Sequence, residues 1–139
     1  MSARNEVKAL LADAGIFTRM AGAAQLAAAI GRRQFSEEAY VMLSDVTAAA
    51  NTLIGETNQL VTETYAVVFW VTAPNDPTGE QALDAVDAKR DAIIAALLGQ
   101  EPDAAHSPLE YGGGSLGDFV SGAVLWEERF TTQSYVRKT

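Results

Sequence analysis

Residues 59–73 hold the longest two-residue alternation in this chain, and that pattern constrains the fold more than any other feature. Val61, Glu63, Tyr65, Val67, Phe69 and Val71 fall on one side of a strand, and Thr62, Thr64, Ala66, Val68 and Trp70 on the other. The first side is bulkier beyond Glu63 and is expected to face the core. The second begins polar and ends apolar. Trp70 on that side calls for a cover, either a helix or another copy of the chain.

The remaining elements are read around this strand. Val7, Leu10, Leu11 and Ala14 mark one face of a helix over residues 5–14, with Gly15 as its stop. Ile16–Arg19 has the composition of a very short strand, and alanine-rich Ala23–Ile30 that of a short helix before Gly31. Ala39–Leu43 is strand-like, whereas 44–58 lacks a period and reads as a projecting loop. Pro74-Asn75-Asp76-Pro77-Thr78-Gly79 breaks the long strand. Thr78 and Gln81 then match a capping box that opens a helix to Leu98. Leu83, Val86, Ile93, Ile94, Leu97 and Leu98 form its expected buried stripe, with Val86 and Leu97 facing the Tyr65–Val71 side of the strand.

Ser107–Tyr111 and the residues from Asp118 onward read as strands around a Gly112–Gly117 turn. In the last strand, Ala123–Thr132, Val124, Trp126, Glu128 and Phe130 share one face, and Leu125, Glu127 and Arg129 the other. Residues 131–139 read as a C-terminal arm that is mobile in the isolated chain. The expected fold is α/β of the α+β kind, one domain over 1–139. It has an antiparallel or mixed sheet of about four to five strands against about two to three helices.

Composition narrows the function classes. The 139 residues suit one domain with a sizeable core, and there is no cysteine, so no disulfide or cysteine metal site can form. No apolar run reaches the ~18 residues of a membrane span, and no signal-peptide core follows the first charges. Net charge is −8, divided as +3 over 1–35, −14 over 36–128 and +3 over 129–139. An acidic body repels phosphates, so nucleic-acid wrapping is disfavoured. Basic ends on an acidic body can instead complement a neighbouring subunit.

Nothing in the chain assembles into a catalytic motif. The glycines of 112–117 precede a strand and have no lysine beside them, unlike a phosphate loop. His106 is the only histidine, and with Asp103 alone it makes no metal site, so it reads as a solvated loop residue. No nucleophile elbow surrounds Ser107 or Ser115, and Glu127 and Glu128 point to opposite faces. The expectation is no enzyme, no catalytic residue, no cofactor and no metal. The residues expected at subunit or partner interfaces are Arg32, Arg33, Asn51, Ile54, Glu56, Trp70, Arg129, Tyr135, Arg137 and Lys138.

An ordered set of segments resembles the bacteriophage tail terminator family of tail-completion proteins. It comprises Phe17-Thr18-Arg19 with Gly22–Ala29; Glu38–Val41; Val67–Val71; Asn75–Gly79; Arg90; Leu97–Pro102; Leu109-Glu110-Tyr111-Gly112-Gly113; and Leu125–Thr132. The resemblance implies a virion structural protein, a homohexameric ring at the head-proximal end of the tail. Such a ring stops tube polymerisation and joins the tail to the head-completion (neck) proteins. Its implied partners are further copies of itself, the tail tube protein, a neck protein and, in a contractile tail, the sheath. DNA would pass through the lumen without specific binding, no membrane is involved, and synthesis is in the host cytoplasm. Two other readings stay open. One is a different head–tail connector, a neck or stopper subunit. The other is a small cytoplasmic enzyme or ligand-binding domain.

Overall fold

A computed structural model describes residues 2–17, 19–22, 25–28, 38–72, 80–120 and 123–138. Its elements in chain order are α1 (Arg4–Ala14), β1 (Arg19–Ala21), α2 (described over 25–28), β2 (Glu38–Ala48), β3 (Thr57–Thr72), α3 (Glu80–Leu97), β4 (Glu110–Val120) and β5 (Ala123–Lys138). The five strands form one sheet in the order β1-β2-β3-β5-β4. Only β1–β2 is parallel; the other three pairings are antiparallel, so the sheet is mixed and the fold is α+β.

The alternation along β3 places its residues as expected. Tyr65, Val67 and Phe69 enter the main core with Val7 and Leu11 of α1 and Val86, Ile93 and Leu97 of α3. Gly15 ends α1 in the left-handed region, at φ 68°, its N–H donating to the Ala12 carbonyl. The Tyr65 hydroxyl accepts a 2.7 Å hydrogen bond from the Ala3 N–H, tying the start of α1 to the centre of the sheet. The opposite face of β3 makes a smaller cluster in which Ala66, Val68 and Trp70 pack with Tyr40, Ala21 and Ala123, and Leu26 of α2 leans on it. Trp70 is therefore buried within the subunit, in the cluster against which Leu26 of α2 packs.

Truncating Leu97 to Ala removes a fully buried side chain from the main core. We expect a loss of about 2–5 kcal/mol in urea denaturation. A loss under about 1 kcal/mol would mean that α3 does not hold the core.

Several sequence expectations are corrected. Leu83 and Leu98 are exposed, at 44% and 49%, whereas Ala82, Val86, Ile93 and Leu97 carry the buried stripe of α3. Each exposed leucine follows a buried residue by one position, a rotation of about 100° around the helix, and so leaves the core. The segment 44–58 is not all loop: 44–48 belongs to β2 and 57–58 to β3, leaving 49–56 as the connection. Gly112–Gly117 is not a turn but lies inside β4, which has register shifts between Tyr111 and Gly113 and between Leu116 and Asp118. The expected arm is strand to Lys138, paired with β3 down to Thr57. Arg32, Arg33 and the Thr78 cap lie outside the described residues.

Candidate assembly surface

The sheet extends well past its helices. Beyond Tyr65, three strands continue as a blade: β2 from Leu43 to Ala48, β3 from Glu63 back to Thr57, and β5 from Thr132 to Lys138. Residues 43–48 of β2 are exposed throughout, as are Gln133 and Tyr135–Lys138 of β5. Apolar side chains stand on this blade and its tip: Val46, Leu53, Ile54, Tyr135 and Val136 are all exposed. Ile54 is 98% exposed. An apolar tip of this kind on an otherwise acidic domain is a candidate contact surface.

The tip is held in shape. Asn51 donates through Nδ2 to the carbonyls of Leu53 and Glu56, each at 3.2 Å, and its Oδ1 accepts from the Asn58 N–H at 3.0 Å. One side chain thus closes the connection and presents Ile54 outward. Asparagine suits this role because its amide carries both donors and an acceptor. On β5, the Arg137 guanidinium stacks over the Tyr135 ring, 4.9 Å from its centroid, and donates to Asn58 at 3.2 Å.

The sequence-derived interface residues divide accordingly. Asn51, Ile54, Glu56, Tyr135, Arg137 and Lys138 meet at one end of the sheet, where Thr57 pairs with Lys138 and Leu60 with Tyr135. Trp70 sits at the far end of β3, opposite Leu125. Arg129 is engaged within the sheet, its Nη1 donating to Glu127 at 2.6 Å and to Ser115 at 3.1 Å.

Two buried ionic clusters hold the sheet, the first at the base of the blade and the second further in under α3, and the sequence reading missed both. In the first, His106 is not solvated. It is buried, with Nε2 2.6 Å from Glu63 Oε1 and Nδ1 2.7 Å from Asp103 Oδ1. Burial disfavours the imidazolium, but the hydrogen bonds and charges of Asp103 and Glu63 outweigh it, and His106 titrates above its ordinary value. The His106 hydrogen bond in turn holds Asp103 below the usual aspartate range. Ser107 follows directly: its N–H donates to the Gln133 carbonyl at 2.8 Å, and its Oγ accepts from the Gln133 N–H at 2.9 Å. The ion pair thus pins the segment after α3 across the base of the blade. The available signal was Glu63, a charged residue on the core side of β3 that required a partner.

In the second cluster, Glu128 is fully buried. Its Oε1 accepts from Arg90 Nε at 3.0 Å, Tyr111 Oη at 3.2 Å and Trp126 Nε1 at 2.6 Å. Arg90 also lies over the Trp126 ring at 4.7 Å and donates to the Tyr111 hydroxyl at 3.2 Å. That hydroxyl is the foremost reason the guanidinium titrates above its usual value. Gly114 belongs to the same arrangement: a Cβ there would collide with Glu128 Oε1 and stand 3.1 Å from the Glu127 carbonyl oxygen. The glycines of β4 therefore admit close approach to the side chains of β5. Arg90, Tyr111, Trp126 and Glu128 come from segments that carried the family resemblance, and here they meet in one place.

Among the described residues, no group of three or more His, Asp or Glu could hold a metal ion, and no helix is long and apolar enough to cross a membrane. The chain matches the family model described as Phage tail terminator protein over residues 1–139. A comparison with curated proteins gives no match.

Proposed function

Because this chain belongs to the phage tail terminator family, a family of tail structural proteins, and is a virion tail component that works with other tail or neck proteins, we propose that it forms a hexameric ring. The ring caps the head-proximal end of the tail tube, ends tube polymerisation and offers the joint to the neck proteins. The observation that supports assembly best is the blade, which presents Val46, Leu53, Ile54, Tyr135 and Val136 away from the core of a small domain. Heterologous contacts make a ring when their rotation closes. Exposed ion pairs between basic ends and the acidic middle are worth only ~0–1 kcal/mol each, so they set register while apolar contacts hold the ring. The acidic body offers DNA phosphates few cationic partners, which suits passage of DNA without specific binding.

The test is electron microscopy of particles from phage lacking this protein. Tails of uncontrolled length, unattached to heads, are expected. Tails of normal length on normal heads would overturn the reading. Tails of normal length without heads would move the protein to a neck or stopper position.

A further inference from the structure

The blade has two open backbone edges. On β5, Gln133 turns its N–H and carbonyl away from β3, because both are bonded to Ser107. By the two-residue alternation of a strand, Tyr135 and Arg137 point the same way. Strand β4 pairs with β5 only from Ala123 to Thr131, so no described strand meets Tyr135 or Arg137. On the opposite side, the Ala49 N–H donates inward to the Leu60 carbonyl at 2.8 Å. Val46 and Ala48 therefore point their backbone groups outward. Strand β1 pairs only with Glu38–Tyr40, so no described strand meets them either.

Open edges on both sides of an exposed sheet are templates for pairing with another chain. We propose that successive subunits join edge to edge, the β5 edge of one copy pairing with the β2 edge of the next. This inference rests on the ring reading above and names the contact that builds it. The heterologous combination is the one that can close a ring: β5 with β5 or β2 with β2 uses the same edge of both copies and stops at a pair, whereas β5 with β2 leaves one edge of each kind for the next copy. Direction also follows. Strands β2 and β5 both run antiparallel to β3, so they run parallel to each other. Rotation about an axis along the strands preserves that direction, and the new ladder is parallel. Each copy uses one edge of each kind, so the contact repeats around a ring.

Because the chain has no cysteine, engineered pairs report the contact without background. Ala48→Cys is combined in turn with Gln133→Cys, Ser134→Cys, Tyr135→Cys and Val136→Cys, and the protein is oxidised on assembled tails. Within one chain β3 separates the two strands by about 9–10 Å, beyond the ~7 Å that a disulfide spans, so links form only between copies. Ala48 and Ser134 both pair with Val61, so they share a face with Val136, while Gln133 and Tyr135 lie on the other. Cross-linked ladders on non-reducing gels are expected with Ser134→Cys or Val136→Cys, about tenfold more than with Gln133→Cys or Tyr135→Cys. A ring that forms on tails but gives no ladder, or a ladder without this alternation, overturns the edge contact and leaves the ring reading intact. Wild-type protein that is not a ring on tails removes the premise, and the edge contact falls with it.

Discussion

Replacing Arg90 with methionine is expected to cost about 3–5 kcal/mol, because it leaves the fully buried Glu128 without its cation. The methionine keeps most of the stem that covers Trp126, so the loss reports charge more than packing. Tyr111 and Trp126 still donate to Glu128 Oε1, but neutral donors do not neutralise a buried carboxylate. Adding Glu128→Leu to Arg90→Met should recover much of the loss, because the buried charge disappears with its partner. Urea denaturation of both single variants and the double variant measures the coupling. If Arg90→Met alone loses less than about 1 kcal/mol, the cluster is not what fixes β4 against β5.

The second large effect is expected at His106. Substitution by alanine leaves Glu63 buried and uncompensated, a loss of about 3–5 kcal/mol where the imidazolium was charged. The pH dependence separates this from simple loss of packing. His106 titrates above its ordinary value in the folded chain, so it favours the folded state fully below the unfolded imidazole pKa near 6.5. That contribution is lost as pH rises through the raised folded pKa. Asp103 is shifted the other way: its contribution is present above the unfolded aspartate value and is lost as pH falls through its lowered pKa. The pair therefore stabilises most in the window between the unfolded Asp and His values. Melting temperature followed across that window and above it should fall on the alkaline side in the wild type. The slope should flatten in His106→Ala. An unchanged slope would show that the imidazole is not charged in the folded chain.

The parts of the fold that bury one face were legible in the sequence. The alternation of Tyr65, Val67 and Phe69 against Ala66, Val68 and Trp70 located β3 because the two faces meet different surroundings. The stripe of Val86, Ile93 and Leu97 located α3 for the same reason. The blade was not legible. Residues 44–48 and 135–138 are strand exposed on both faces, and no hydrophobic period can arise where neither face is buried. The shift between Leu43 and Asp45 further breaks any alternation there. Gly112–Gly117 resembled a turn because glycine supplies freedom in turns and room for close approach alike; only the position of Glu128 above Gly114 separates the two. The residues at the end of the blade were singled out by the length of the 44–58 segment and the basic charge of the arm, not by any strand pattern. The buried pairs did not, because Glu63 and His106 lie 43 positions apart in sequence and no local pattern joins them.

Strands β3 and β5 are paired over sixteen residues each, from Thr57–Lys138 to Thr72–Ala123, with no slip in register. At about 3.4 Å per residue, this is a beam roughly 50 Å long, with one end in the core and the other free. Unlike β2 and β4, which have register shifts in their ladders, the β3–β5 pair has no bulge at which to bend. A load placed on the tip along the strands stretches this ladder in shear, so many hydrogen bonds share it at once instead of opening one after another. The β3–β5 pair therefore has the geometry of a stiff member between the exposed end and the helical base, and a force applied at the tip would reach the core through it without a bulge to yield on the way.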